Sequence, residues 1–264
     1  MATVMTPRRL QVVMAVLIAI AIIERFAWAL RRGLVSQAGE AHQVAIAFAE
    51  GRGFSDPYFF GSEPIAHLLP TQPLLAAFVY SAFGTQSIAS KILLQTISCG
   101  WMTAGYLLFF RMFKRLGVPL VPRLAAFAFL CVIPLFMGPE SLDFRYWEGG
   151  LAVVLAIATL DRIVRFDSMG ANACFAARLD LAALLAATVF VNAAVGLGLG
   201  LCAVIMASRR WTMRRRLETG AVSAVLLAMM VVPWALRNDA VLGKPVLLRS
   251  NAALELSVAN NDIV

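Results

Sequence analysis

Residues 10–30, "LQVVMAVLIAIAIIERFAWAL", are apolar except at Gln11, Glu24, Arg25 and little else, and this run limits the fold more than any other feature. A helix needs about 20 apolar residues to cross roughly 30 Å of hydrocarbon. Inside lipid the backbone must satisfy its own polar groups, which leaves helices or closed barrels. Comparable runs recur at about 87–110, 119–138, 147–166 and 218–236. Together they predict five membrane-spanning helices. The stretch 179–207 is also apolar but is broken by "FVNAAVGLGLG". As one helix it would overshoot the bilayer, so it reads as a hairpin of two short helices that meet at Asn192. The expected class is an all-α polytopic membrane protein, with residues 1–264 forming one transmembrane domain.

Composition agrees. Mean hydropathy is +0.80 and 14% of residues are charged, against roughly a quarter in soluble proteins. The net charge of +8 raises the question of nucleic acid, and the placement of the basic residues answers it. They fall in short runs between apolar segments: Arg8/Arg9, Arg111/Lys114/Arg115/Arg123, Arg162/Arg165/Arg178 and Arg209/Arg210/Arg214/Arg215/Arg216. Cytoplasmic loops have this pattern, whereas a groove-reading surface gathers its basic residues on one face. No nucleic-acid partner is expected. Five spans plus the hairpin put every basic run on one side. Glu40, Glu50, Asp56, Glu63, Glu140, Asp143, Glu148, Asp239, Glu255 and Asp262 fall on the other. The N-terminus is therefore expected in the cytoplasm, and the segments 31–86 and 237–264 outside.

The first run is too long for the 7–15-residue core of a cleavable signal, and Glu24/Arg25 interrupt its far end, so it is read as a span despite "VSQA" before Gly39. Cys99, Cys131, Cys174 and Cys202 are scattered and match neither a metal-ligand spacing nor a disulfide framework.

The first outer loop is long, and long loops in compact proteins tend to carry function. Within 39–50, Val44, Ala47 and Phe48 share a helical face with Glu40 and Gln43 at its edge. That pattern predicts a helix lying on the membrane surface. "GRGF" ends it, and Pro70 and Pro73 open a second short amphipathic helix that closes at Gly84.

These residues resemble a known family. An acid, an amphipathic helix, "GRGFSDP", Gly61 and "PTQPLLAAFVYSAFG" occur in the order seen in the first outer loop of GT-C-type glycosyltransferases. Those enzymes use polyprenyl-phosphate sugars and include protein O-mannosyltransferases and the lipid A aminoarabinose transferase. "PWALRN" at 233–238, then "GKPVLLRSNAALEL", is similar to the exit from a late span in such proteins. Two features depart from the family pattern: Gly39 precedes Glu40 where an aspartate is common, and no aspartate occurs in this loop before Asp56. The resemblance also implies that such chains run on past the equivalent of Val264 into further spans.

The resemblance implies transfer of a sugar, with inversion, from a polyprenyl-phosphate donor to a hydroxyl of a lipid, glycan or protein. It places this at the outer face of a bacterial inner membrane. One carboxylate takes the acceptor proton, and cationic groups hold the departing phosphate. Glu40 is the first candidate base, with Asp56 and Glu148 as alternatives. Arg237, Arg145 and Arg52 are the phosphate candidates, and His67 is a substrate contact. No metal site is expected from spacing, but the resemblance leaves a divalent cation open as a cofactor, with Glu40, His42 and His67 as the set to hold it.

Each residue also has a plainer reading. Glu148 suits the positive end of a helix dipole, Arg237 suits an interface anchor, and Glu50 and Asp56 suit a helix end and a turn. Two other functions fit the same architecture. One is a transporter or flippase using Asn192 and the broken segment as a midplane site, and the other is a catalytically silent membrane subunit.

Overall fold

Helix boundaries follow local chemistry. Ser87 caps one helix by accepting from the Ser90 amide at 3.1 Å. Asn192 Oδ1 accepts from the Val195 amide at 3.1 Å and starts another. Gly243, at φ 65°, stops the last one. The computed structural model describes residues 6–31, 39–58, 63–85, 87–132, 144–146, 149–169 and 174–250. Among the described residues the regular elements are all helices. They are α1 (Pro7–Arg31), α2 (Glu40–Ala49), α3 (Thr71–Phe83), α4 (Ile88–Arg115), α5 (Leu120–Val132), α6 (Gly149–Met169), α7 (Phe175–Val191), α8 (Ala193–Arg210) and α9 (Met213–Leu242).

Among the described residues four helices, α1, α4, α8 and α9, are long and apolar enough to cross a membrane. Two of the five expected spans are not among them. The run at 119–138 is represented by α5, which is apolar but has 13 residues and borders residues outside those described. From Gly149 on, the run at 147–166 lies within α6, whose second half carries Asp161, Arg162, Arg165 and Asp167. The break at Asn192 lies where the sequence places it, between α7 and α8, and α8 is itself of membrane length. These two helices pack so closely that a Cβ on Gly196 would stand 2.4 Å from Val189 Cα. Glycine is required there.

Acids and bases at one end of the helices are paired rather than strewn through loops. Asp161, fully buried, accepts from Arg111 Nη2 at 2.6 Å, Arg115 Nε at 2.9 Å and Arg162 Nη1 at 3.0 Å. Arg162 also pairs with Asp180, Arg178 with Glu218 at 2.9 Å, and Arg210 with Asp167 at 3.0 Å. One ionic layer thus joins α4, α6, α7, α8 and α9. Within α1, buried Arg25 donates to the Ala21 carbonyl at 2.8 Å and to Tyr106 Oη at 2.6 Å. These bonds account for a charge that a lone apolar helix would not tolerate.

At the opposite end, α2, α3, the start of α4, residues 144–146 and Trp234 share a hydrophobic core. This corrects the expected position of α2. Val44 and Ala47 are fully buried within the protein, as are Ala41 and Ala45, and only Phe48 of the predicted face is exposed. The small side chains let α2 press onto α3 and the tyrosines beneath it. The apolar stripe therefore faces protein, and the described residues between α1 and α4 form a folded cap.

Candidate functional site

α9 has 30 residues, about 45 Å at 1.5 Å per residue, so it outruns the hydrocarbon and carries its last turns into the cap. Arg237 lies in that extension, inside the helix rather than at its end. It donates from Nη1 to the Ile65 carbonyl at 2.6 Å and to Asn238 Oδ1 at 3.0 Å, and from Nη2 to the Phe54 carbonyl at 2.7 Å. Residues 54 and 65 are themselves paired, the Ile65 amide donating to the Phe54 carbonyl at 3.2 Å. The guanidinium also sits over the rings of Phe54 and Trp234, 5.5 and 5.2 Å from their centroids. Arg237 thus pins the cap loop to α9, with three of its five donors committed.

Residues after α9 complete this side. Trp234 Nε1 donates to the Leu248 carbonyl at 2.9 Å, Asn238 Nδ2 to that of Val246 at 2.8 Å, and the Ser250 amide to that of Ala66 at 3.1 Å. The chain leaving α9 therefore folds back along the cap.

Beneath the pinned loop is a cleft of about 520 Å³. Phe54, Leu74, Phe190 and Trp234 form apolar wall, and Arg52 and Arg237 bring charge to it. Arg52 donates to Glu50 Oε2 at 2.6 Å from Nη2 and also pairs with Asp56. Those two carboxylates hold its guanidinium even more firmly charged than usual. Asp56 has φ 57°, a left-handed conformation uncommon outside glycine, and its amide donates to the Glu63 carbonyl at 3.2 Å. Its Oδ1 is buried without a hydrogen bond among the described residues. Strain and an unmet acceptor at one acid are features that gather at functional positions.

Glu40 sits elsewhere, at the first residue of α2. Its Oε2 lies 2.8 Å from His67 Nε2, and its Oε1 accepts from Tyr58 Oη at 2.7 Å. The Tyr58 and His67 rings stack, 7° from parallel. The hydrogen bond to Glu40 and partial burial raise the Tyr58 phenol above its ordinary value. His42 points away from this group and is buried against Tyr80 and Tyr146, whose hydroxyls bond each other. The set proposed for a cation, Glu40 with both histidines, is therefore divided, and no other metal-holding group of His, Cys, Asp or Glu occurs among the described residues.

The sequence-predicted residues fall into two groups separated by α2, about 15 Å long. Arg237, Arg52 and Asp56 belong to the cleft end, and Glu40 and His67 to the other. Arg145 lies between buried Phe144 and Tyr146 in the cap core, and its Nε is buried without a hydrogen bond among the described residues. Glu148, the remaining acid candidate, lies outside the described residues, as does Asp143. Sequence reasoning passed over Tyr58, Phe54 and Trp234. Their only signal was aromatic residues beside proline and glycine in "GRGFSDPY" and "PW". No family model, characterised protein or solved structure matches the chain.

Proposed function

We propose that this chain is a membrane glycosyltransferase, moving a sugar from a polyprenyl phosphate to an acceptor hydroxyl at the outer face of a bacterial inner membrane. The observation that carries this reading is the cleft, an apolar channel with Arg52 and Arg237 on its wall and an acid, Asp56, held by one of them. An isoprenoid tail matches the apolar walls, and a phosphate matches the two guanidinium groups, whose planar forks bind phosphate oxygens in pairs.

Asp56 is the acid whose position suits the base: like Glu50 it shares Arg52 with the cleft, but its Oδ1 is buried with no partner among the described residues, while Glu40 is engaged at the far end of α2. A donor phosphate that drew Arg52 toward itself would release the Asp56 carboxylate. That carboxylate takes the proton of the acceptor hydroxyl, and the acceptor oxygen forms a bond to the anomeric carbon. The bond from that carbon to the phosphate oxygen breaks on the opposite face, and its electron pair leaves with polyprenyl phosphate. In this reading a lipid, glycan or protein acceptor approaches past Glu40, His67 and Tyr58. The transport reading has less to rest on, since Asn192 caps α8 and so has a structural occupation.

The test is release of free polyprenyl phosphate from a panel of polyprenyl-phosphate sugars, each with and without magnesium. Asp56→Asn should lower turnover roughly 10²–10⁴-fold, as expected for loss of a general base, while donor binding persists. Normal turnover in Asp56→Asn with none in Glu40→Gln would move the base to Glu40. Failure of every donor would remove the proposal.

A further inference from the structure

Away from the cap, α7, α8 and α9 line a second cavity of about 440 Å³. Gly200, Val204 and Ala207 of α8 and Gly220, Ala224 and Leu227 of α9 give it apolar walls. A Cβ added at Gly200 or Gly220 would meet open space, so these glycines widen the groove rather than serve a close contact. Its polar groups gather at one end, where Trp211, Arg216 and Thr219 line it.

That end is built for an anion. Arg216 donates from Nε to the Trp211 carbonyl at 2.9 Å and from Nη2 to the Ser208 carbonyl at 2.8 Å, which sets its guanidinium across the mouth. Trp211 is 4% exposed and Thr219 8%, yet the indole N–H and the hydroxyl oxygen have no hydrogen-bond partner among the described residues. Arg209, Arg210, Arg214 and Arg215 adjoin these residues in the chain, and among them Arg210 pairs with Asp167 and Arg214 with Glu218. From Arg216 to Leu227 the groove runs about 16 Å at 1.5 Å per residue. That is half the roughly 30 Å hydrocarbon thickness, the depth of one leaflet.

We infer that this groove is a binding site for an anionic phospholipid of the leaflet at the arginine-rich end. One acyl chain lies between α8 and α9, and the phosphate accepts from Arg216, Trp211 Nε1 and the Thr219 hydroxyl. The buried donors distinguish this from general attraction of lipid to a basic surface, because they need a ligand that enters the groove. The site is independent of the proposed sugar transfer and lies outside its cleft.

The experiment uses the full chain in phosphatidylcholine vesicles, titrated with phosphatidylglycerol brominated on its acyl chains, with tryptophan fluorescence as the readout. The expected result is saturable quenching that disappears in Trp211→Phe and needs about tenfold more lipid in Arg216→Gln, a loss typical of one charge-assisted bond. Gly220→Leu, which fills the groove without touching a charge, should weaken quenching equally while leaving the protein monodisperse. Equal quenching by brominated phosphatidylcholine, or unchanged quenching in Gly220→Leu, overturns the site. Conversion of a dimer to a monomer by Gly220→Leu, with no lipid effect, overturns it in favour of a second copy of the chain.

Discussion

Glu40 Oε2 and His67 Nε2 stand 2.8 Å apart although 27 residues separate them in the chain. The contact joins the start of α2 to the irregular segment before α3, and Tyr58 closes it by donating to the other carboxylate oxygen. It therefore ties the segment that holds Tyr58 and the segment that holds His67 to the start of α2. Both residues are conspicuous in the sequence as scarce polar groups, but only the fold shows that they address each other instead of the cleft.

The phenol of Tyr58 reports on this contact. Its pKa is raised above the ordinary value of about 10, so the neutral phenol is favoured in the folded protein. Its contribution to stability is then fully present below about pH 10 and is lost as pH rises through the higher folded value. Ultraviolet difference titration should show that Glu40→Gln returns this phenol toward ordinary behaviour, and that Tyr58→Phe removes it. Tyr80 and Tyr146 are also raised, but chiefly by burial, and should not respond. An unchanged titration in Glu40→Gln would mean that the hydrogen bond does not exist in solution.

Arg237 makes a different prediction according to whether it holds the loop or only a ligand. Its two bonds to the Phe54 and Ile65 carbonyls need a planar fork, which lysine lacks. Arg237→Lys should therefore cost about 2 kcal/mol of unfolding free energy in the absence of any donor, as expected for lost bonds to a charged group. Limited proteolysis should cut between Phe54 and Ile65 sooner. A variant as stable and protease-resistant as the parent would restrict Arg237 to binding a ligand.

Asp161 tests the ionic layer at the opposite end. Three arginines converge on one carboxylate with no exposure, so neutralising it leaves them to repel one another. Asp161→Asn should destabilise the protein by about 3–5 kcal/mol, the range for breaking a buried pair. Thermal unfolding in detergent measures this. Asp161→Glu, which keeps the charge, should recover part of it. A loss under about 1 kcal/mol would place the pair among weak surface contacts.

Much of the helical plan was readable because hydrocarbon thickness sets the length of apolar runs, and because Asn192 and Gly84 are residues with capping chemistry. The site was less readable, for two physical reasons. Apolar periodicity marks which face of α2 is buried but does not say whether lipid or protein buries it, and Val44 and Ala47 face protein. Arg237 spends its donors chiefly on backbone carbonyls, which carry no signature in the residues that supply them. The partners of Asp161 were hidden likewise, since an acid within a mostly apolar run looks like a flaw in a span until three arginines are seen around it.

The last prediction concerns sidedness, on which the outer-face proposal depends. The Ser250 amide bonds the Ala66 carbonyl at 3.1 Å, so the segment after α9 and the loop before α3 must share one side of the membrane. Glu63 and Ser250 are both exposed. In an otherwise cysteine-free protein, Glu63→Cys and Ser250→Cys should both react with an impermeant maleimide in intact cells. Cys174, exposed at the start of α7 close to Arg178 and the ionic layer and kept as the single cysteine of a separate variant, should react only after the membrane is opened. The basic residues at that end favour retention in the cytoplasm. Labelling of Cys174 in intact cells with both introduced sites protected would invert the molecule and place the cleft inside. Labelling of one introduced site without the other would contradict the bond between Ser250 and Ala66, and with it the cap that shelters the cleft.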